Sequence, residues 1–533
     1  GTARIDDGLA RANVLHVGGT TESAVIQEAG GTLEVPNLQV GCGSNGVYEM
    51  YGGQLRDPVW APLTSPGLDI GRGGTGTFRI YGGVMERSRI EMGFDGGEAL
   101  FEMTGGEVVL DPYGVDVDAG TTFRQTAAPF TAAAFSVRDG AQLAVGPTAD
   151  LTTNGEFICN SSVIGSVAQT GGTVTIEDLD VGRWSGREGT YKLEGGTLQT
   201  RYFAIGSYEA TGTFRQTGGT HAVSANGGVE IASTLNLNSR GTYELVGGLL
   251  TTPSITLGGS SATAAMFAQE GGDVETGSLM VHRHGTYEYA GGSLQVAARL
   301  ELDEGTLDFA DAACALTVGD GAWVDLAGGT IARAGAATLT VGANSFTRLA
   351  PGMDLTAVFD SFQTEGLVHE AGSTLVIPAG QTLSWSATWE NALSDFVRCE
   401  GQLEVAPASG LHLEAGLQVG PGGRADLGWG AVWATGADAG MSGEELHCGD
   451  IKVVADAAFT QSAGTTEADE VLVGVGWSGD EGLYHVTGGT LAARAVNVGD
   501  QRPGRVVQDA GALTVSEYLI VGIDVAKTPH HAF

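Results

Sequence analysis

One block recurs along the chain and restricts its fold more than any other feature. Residues 189–206 read GTYKLEGGTLQTRYFAIG, in which an aromatic and an aliphatic residue precede a glycine pair and a second apolar run ends in glycine. The second glycine of the pair returns at Gly172, Gly196 and Gly219, in steps of 24 and 23 residues. A fixed period of this length is typical of a solenoid made of stacked units.

Side-chain parity within the block predicts short strands separated by corners. In residues 241–258, Tyr243 and Leu245 have the same parity and therefore face one side of a strand. Leu250 has the opposite parity, so Gly247-Gly248 must supply a bulge or corner, which glycine allows because it tolerates positive φ. The equivalent glycines are predicted to be structural: Gly195, Gly196, Gly247, Gly248, Gly488 and Gly489.

A third strand completes the unit, because the inward pair Ile255 and Leu257 follows a turn at Pro253. Three strands in about 23 residues predict an all-β parallel β-helix, or β-solenoid. Right-handed connections dominate between parallel strands, so a right-handed coil is expected. About 23 rungs stacked at about 4.8 Å would form a rod of about 110 Å. A β-sandwich with glycine-rich turns is the alternative, but it would not repeat one three-strand block.

The clarity of the block divides the chain into three regions. Residues 1–302 carry regular rungs, with an insertion near 56–66 and degenerate rungs at 111–165. The motif fades over 303–455, which are either irregular solenoid rungs or an inserted β region. It returns over 456–533, where regular rungs are followed by a C-terminal tail.

The charge balance excludes some partners. The chain has 26 Lys and Arg against 63 Asp and Glu, a net charge of −37, which argues against nucleic acid and acidic membranes. No apolar run reaches the roughly 18 residues of a membrane span. The five cysteines are odd in number and scattered, which is not the pattern of a disulfide framework or a zinc site.

Residues that carry chemistry are scarce. Two carboxylate pairs are spaced so that both members share a face, but outward Asp residues on a solenoid usually only solubilise it. His282 and His284 flank an arginine at a predicted turn, and the calcium-binding nonapeptide of β-rolls does not occur. We therefore expect no enzyme, no cofactor and no metal site. The two pairs are Asp116 with Asp118 and Asp178 with Asp180.

Four of the eight tryptophans lie close together in residues 385–433, within the degenerate middle of the chain. They form two pairs with i, i+4 spacing, which places both members of a pair on one face of a strand. Such an aromatic platform can stack sugar rings, and buried packing in irregular rungs explains it as well. The four residues are Trp385, Trp389, Trp429 and Trp433.

The block GTYxLxGGxL followed by aliphatic-x-Val/Ile-Gly resembles the extracellular repeat of autotransporter (type V secretion) passengers and PEP-CTERM-sorted bacterial proteins. The similarity is best at 166–302 and 482–522. It implies a bacterial secreted or surface-bound β-solenoid, commonly adhesive or structural, and it brings no catalytic residues with it. The membrane barrel of autotransporters and the Pro-Glu-Pro sorting tail are not recognised in the sequence, which leaves the anchoring route open.

The two terminal rungs suggest how such a chain could associate. Gly1 occupies the first position of the block and Gly522 closes the last copy. A solenoid end exposes the strand edges and apolar interior of a whole rung, and head-to-tail stacking of copies would cover both ends and extend without closing. The candidate self-association residues are Ile5, Leu15, Val17, Val506, Leu513, Leu519 and Val521.

Three functions from different classes follow from these features. The first is a structural extracellular bacterial protein that self-associates head to tail into a filament or surface assembly. The alternative is a monomeric surface adhesin or glycan-binding stalk, with the tryptophans as its candidate site. The third is a polysaccharide-active enzyme, and the carboxylate pairs are the only sequence feature in its favour.

Overall fold

The repeated block folds as one rung of a parallel β-solenoid. The computed structural model describes residues 1–58, 67–138, 140–159, 165–232, 238–259, 264–310, 313–332, 337–386, 389, 391–436, 438–476, 481–499 and 501–522. They form about 21 turns of roughly 23 residues, with almost no helix, which confirms the predicted fold class and period. The insertion near 56–66 lies mostly outside the described residues, and the tail from 523 onward lies entirely outside them.

The first thirty-four strands belong to one parallel sheet that winds through residues 2–370. They are β1 (Thr2–Arg11), β2 (Val14–Val17), β3 (Ser23–Glu34), β4 (Asn37–Val40), β5 (Gly46–Met50), β6 (Gln54–Arg56), β7 (Gly67–Ile70), β8 (Thr75–Ile80), β9 (Val84–Arg87), β10 (Ile90–Met92), β11 (Glu98–Met103), β12 (Glu107–Leu110), β13 (Val115–Val117), β14 (Thr121–Ala132), β15 (Phe135–Val137), β16 (Gln142–Cys159), β17 (Gly165–Gln169), β18 (Thr173–Arg183), β19 (Glu188–Leu193), β20 (Thr197–Ser207), β21 (Thr211–Gln216), β22 (Thr220–Ile231), β23 (Arg240–Leu245), β24 (Leu249–Leu257), β25 (Ala264–Gln269), β26 (Asp273–His282), β27 (Gly285–Tyr289), β28 (Ser293–Asp308), β29 (Ala315–Val318), β30 (Trp323–Ala332), β31 (Thr338–Val341), β32 (Phe346–Leu349), β33 (Ser361–Thr364) and β34 (Leu367–Glu370).

The remaining strands form two further sheets, and two short helical segments interrupt the chain. The helical segments are a 3-10 turn at Phe94–Gly96 and α1 (Leu355–Val358). The strands are β35 (Leu375–Ile377), β36 (Thr382–Trp385), β37 (Ala392–Leu393), β38 (Val397–Cys399), β39 (Gln402–Val405), β40 (His412–Leu413), β41 (Leu417–Val419), β42 (Arg424–Asp426), β43 (Ala431–Ala434), β44 (Ala439–Met441), β45 (Glu445–Val454), β46 (Ala458–Gln461), β47 (Thr465–Val475), β48 (Gly482–Val486), β49 (Thr490–Val498), β50 (Gly504–Gln508) and β51 (Ala512–Val521).

Each rung has a first strand before the glycine pair, a second strand after it and a third strand that ends at the closing glycine. The predicted register is confirmed, because the leucines that follow the glycine pair are at most 1% exposed, while Lys192 in the first strand is exposed. Glu244 and Glu288 also point outward but are half-buried between neighbouring rungs. The buried leucines are Leu198, Leu250, Leu294 and Leu491.

Stacking places like residues above like in the core. Tyr48, Phe78, Phe101 and Phe123 occupy one slot of four successive rungs, with ring centroids 4.8, 5.7 and 4.4 Å apart. A stacked pair adds about 0.5–1.5 kcal/mol to the free energy of burying each ring. The aromatic position of the repeat therefore forms a column of stacked rings over these four rungs, and Leu143 occupies the same position in the next rung.

The glycine pair works through its second member. Gly196, Gly248 and Gly489 have φ of +79°, +92° and +73°, values that residues other than glycine rarely adopt. Their partners Gly195 and Gly247 are outside the left-handed region. The parity switch seen in the sequence thus arises at one left-handed residue per corner.

The solenoid has two cores that meet near residues 323–395. Val324 of β30 belongs to the first core, whereas its neighbour Trp323 belongs to the second, together with Phe346. No strand of the first sheet pairs with a strand of the other two among the described residues, and α1 lies just before this break. A buried contact between His369 Nε2 and Asp395 Oδ2 at 2.7 Å joins the first segment, which contains the first sheet, to the second segment, which contains the other two sheets. Residues 303–455 therefore contribute strands on both sides of this junction.

A ladder of buried glutamines runs through the otherwise apolar core. Six glutamines occupy the last inward position before the first corner of their rungs, are 0% exposed, and donate from Nε2 to two carbonyls, one at their own corner and one in the next rung. In five of them Oε1 accepts from a tyrosine hydroxyl of the next rung, as in Tyr287 to Gln269 at 2.7 Å. In the rung after Gln125, Leu143 occupies the position that the tyrosine has elsewhere. The Oε1 atom of Gln125 therefore has no partner among the described residues. The six are Gln27, Gln125, Gln169, Gln216, Gln269 and Gln461.

One histidine in this interior makes stability depend on pH. His221 is fully buried, contacts Thr200 Oγ1 at 3.1 Å and Tyr243 Oη at 3.3 Å, and burial lowers its pKa to about 3. The unfolded chain binds a proton at this residue below a pH of about 6.5, while the folded chain does not. The stability that neutral His221 allows is therefore present above pH 6.5 and is lost as pH falls toward 3.

We expect His221→Leu to weaken this acid sensitivity. Leu198 and Leu250 occupy the same column, so leucine fits the position. Between pH 7 and 4 the wild-type chain should lose about 3 kcal/mol more unfolding free energy than the variant. Denaturant unfolding at the two pH values measures this difference, and equal losses in both chains would show that His221 is not the titrating group.

Candidate functional site

The two terminal rungs have an open strand edge and exposed apolar side chains. β1 pairs with β3, and β51 with β49, and neither has a second partner strand among the described residues. Leu9 and Val14 in the first rung are 51% and 45% exposed and lie on the outward face, in register with Thr32 and Asn37. An open strand edge beside exposed apolar side chains is a template for adding another strand.

The last rung shows the contrast with the interior most clearly. Leu519 and Val521 are 54% and 70% exposed, although their register partners Val496 and Val498 in the rung before are 1% and 5% exposed. The side chains occupy equivalent columns, and the two rungs differ in that β51 has no following strand among the described residues. A further rung placed on β51 would bury both residues.

Gln508 presents unused hydrogen-bonding groups at the same edge. Its Nε2 donates to Gly511 O at 3.0 Å, as the buried glutamines do at their own corners. The second carbonyl and the tyrosine hydroxyl that the buried glutamines bind come from the following rung, and Gln508 has no such partner among the described residues. The edge of β50 thus has the donor and acceptor positions that a following rung fills elsewhere.

The structure places the seven predicted self-association residues in three environments. Leu519 and Val521 are exposed, while Ile5, Leu15, Val506 and Leu513 are half-buried at the terminal rungs. Val17 is 1% exposed and lies within the first core, so it is not part of the open edge. The sequence alone could not separate Val17 from the others, because all seven follow the same inward parity.

The predicted tryptophan platform is not formed by Trp385 and Trp389. They are 2% and 5% exposed and pack on Trp323, at ring-centroid distances of 5.3 and 5.7 Å. Trp389 Nε1 donates to Gly321 O at 3.2 Å, which ties the second segment to the first. Buried packing, the alternative explanation of their spacing, is what the structure shows for this pair.

The other two tryptophans differ from each other as well. Trp429 is 56% exposed and lines a lateral groove, whereas Trp433 is half-buried beneath Lys452, whose Nζ lies 4.9 Å from the ring centroid. Trp429 is therefore the only one of the four predicted glycan-binding residues that offers an open ring.

Three of the four carboxylates in the two Asp pairs contact arginines. Asp116 Oδ1 accepts from Arg138 at 2.7 Å and Asp180 lies 3.2 Å from Arg183. Burial raises the pKa of Asp180 to about 6. Asp178 lies 3.4 Å from Arg201, which also contacts Glu177. These are bridges between or within rungs, and the geometry brings no carboxylate pair into a closed cleft in the described parts of the chain.

The buried glutamines are the structural residues that sequence reasoning missed. A signal was present, because glutamine recurs at the last inward position before the corner, as in VAQTGG, FRQTGG and FAQEGG. Amphipathic parity treats such a residue as an exception to the apolar pattern. Recognising it needs the knowledge that carbonyls at the corner point into the core.

Within the described ranges, no group of three His, Cys, Asp or Glu residues is placed to hold a metal ion, and no helix is long and apolar enough to cross a membrane. No protein-family model, curated protein or solved structure matches the chain.

Proposed function

We propose that this chain is a structural extracellular bacterial protein that self-associates head to tail into a filament or surface assembly. The observation that carries the proposal is the exposure of Leu519 and Val521 at columns that are buried in the preceding rung. The resemblance of the repeat to secreted bacterial solenoids supports the extracellular location. No catalytic role is assigned.

The two ends are in phase for such a contact. Aligning the closing glycines Gly18 and Gly522 places Leu15 over Leu519, and in the second strand a shift that is one residue smaller places Ala10 over Leu513. The junction would continue the ladder that each interior rung makes. The charge of −37 makes copies repel at low ionic strength, so association should strengthen as salt rises to about 0.15 M.

We expect the 533-residue chain to form end-to-end assemblies whose fraction rises with concentration. The double substitution Leu519→Asp/Val521→Asp should return it to monomers, because it places two carboxylates in the junction. Sedimentation velocity and negative-stain microscopy measure the outcome. Thr251→Asp/Thr317→Asp, with the same added charge at exposed lateral positions, is the matched control and should still assemble.

A gain-of-function variant tests the geometry of the junction. Ala3 of the first rung would lie over Val506, the slot from which interior tyrosines reach the preceding glutamine. Ala3→Tyr should therefore strengthen association by supplying a hydroxyl to Gln508, and Gln508→Leu should remove the gain. A wild-type chain that stays monomeric at high concentration, or a lateral control that also dissociates, contradicts the proposal. The competing occupant of this edge is a further rung of the same polypeptide.

A monomeric surface adhesin or glycan-binding stalk is the second candidate function. One observation favours it: Trp429 is exposed in a lateral groove that end-to-end stacking would leave accessible along the rod.

A further inference from the structure

A groove of about 470 Å³ follows the bend between the second and third strands in the last rungs of the solenoid. Small side chains form its floor, where Ala468 and Ala493 are nearly buried. One row of its lining comes from four successive rungs that stack in register, in the order His447, Glu467, Ala492 and Thr514. Four rungs spaced about 4.8 Å apart give the groove a length of roughly 14 Å, which is long enough for a linear ligand made of several linked rings.

Trp429 forms one wall and is held in place by the preceding rung. Its Nε1 donates to Ala408 O at 3.2 Å, and its ring meets His412 edge-on with centroids 5.4 Å apart. Gly428 before it has φ of +58°, and its N–H donates to Asp426 Oδ1 at 3.0 Å. This turn interrupts the strand and directs the indole outward, where 56% of the residue stays exposed. An aromatic surface fixed in this way loses little freedom when a ligand stacks on it.

The rim of the groove is polar and has excess negative charge. Arg494 lies between two carboxylates, with Nη1 2.9 Å from Glu517 Oε2 and Nε 3.9 Å from Asp469 Oδ1. Glu467 adds a further carboxylate, and Thr514 and Ser516 add hydroxyls. These side chains can accept hydrogen bonds from the hydroxyl groups of a ligand and donate hydrogen bonds to them. The net negative charge of the rim repels an acidic polymer.

The bend itself is common to the fold, but this lining is not. Two other grooves along the same bend, of about 430 and 440 Å³, are lined by polar side chains and have no aromatic ring in their walls, although the larger of them also contains Arg201 in contact with Glu177 and Asp178. The exposed ring of Trp429 therefore distinguishes this groove from those that arise simply from the shape of the rung.

We propose that the groove bounded by Trp429, Asp469 and Arg494 binds a linear neutral oligosaccharide. One sugar ring would stack its C–H face on the indole, and the hydroxyls of the adjoining rings would bond the carboxylates, Arg494 and the two hydroxyl side chains. The proposal deepens the glycan-binding function given above as the second candidate and does not depend on end-to-end association.

The test is binding of soluble neutral gluco-, manno- and galacto-oligosaccharides to the 533-residue chain, followed by isothermal titration calorimetry on the best of them. Trp429→Ala should weaken binding at least tenfold, and Asp469→Asn should weaken it to a smaller extent. The matched control is Trp184→Ala, because Trp184 is 51% exposed on a distant rung and should not affect binding. Both tryptophans are exposed, so neither substitution should unfold the chain, which circular dichroism will verify.

Each outcome bears on a separate claim. If neutral oligosaccharides bind and Trp429→Ala has no effect, the groove is the wrong site while the glycan-binding function stands. If Trp184→Ala abolishes binding instead, the sugar lies on the Trp184 surface and the inference is overturned. If the wild-type chain binds no neutral oligosaccharide, the inference and the glycan-binding function both fail. Preferential binding of uronic acid oligosaccharides would contradict the charge argument.

Discussion

Gly248→Val is expected to unfold the rungs around it. Gly248 has φ of +92°, and a Cβ atom there would collide with the carbonyl oxygen of Gly219 and lie 2.8 Å from Nε2 of Gln216. Left-handed strain in a residue other than glycine costs about 1–3 kcal/mol. Overlap with a packed backbone adds about 1–3 kcal/mol. The substitution should therefore be among the most damaging in the chain.

Gly247→Val is the matched control, because it adds the same side chain one residue earlier without requiring positive φ. A Cβ atom at Gly247 would lie 3.0 Å from Thr217 O, so some loss is expected, but less than at Gly248. Amide hydrogen exchange measures both variants rung by rung, since a solenoid is stabilised by nearest-neighbour contacts and damage should stay local. Equal loss of protection in the two variants would show that positive φ at Gly248 is not the reason that this corner requires glycine.

Gln269→Leu is expected to have the second large effect, because one side chain satisfies three buried groups. Gln269 Nε2 donates to Gly272 O and Ser293 O at 3.2 and 2.9 Å, and Oε1 accepts from Tyr287 at 2.7 Å. Leaving a buried polar group without a partner costs about 1–3 kcal/mol. We therefore expect a loss of several kcal/mol, even though leucine is more apolar than glutamine.

A double-mutant cycle separates the hydrogen bond from the packing. Tyr287→Phe alone leaves Oε1 of Gln269 unpaired, which is the situation of Gln125 in the natural chain. In Gln269→Leu/Tyr287→Phe that group is gone, so the double variant should be more stable than the sum of the single losses implies. Gln508→Leu, at an exposed position, is the control and should change stability by less than about 0.5 kcal/mol. Additive losses in the cycle would argue against coupling between the two side chains.

The fold was accessible from the sequence because a solenoid is governed by local pattern. The alternation around Tyr243 and Leu250, with the glycines between them, specifies which side chains face inward in each rung. Every rung then repeats the same solution against its neighbour. Long-range topology adds little information in such a fold, so parity and period were enough to predict strands, corners and the buried leucines.

The exposure of individual side chains could be read only from the tertiary structure, because it depends on which rungs and segments pack against them. Val17 and Val521 follow the same pattern, but one is buried in the first core and the other is exposed at the last rung. Trp385 and Trp429 share the spacing of their pairs, yet Trp385 packs at the junction of the two segments while a left-handed glycine turns Trp429 outward. By itself the sequence determined the shape of the rung, because that shape depends on contacts within one period. Only the tertiary structure decided which apolar and aromatic groups stay open to a partner, because exposure depends on what stacks above and beside each rung.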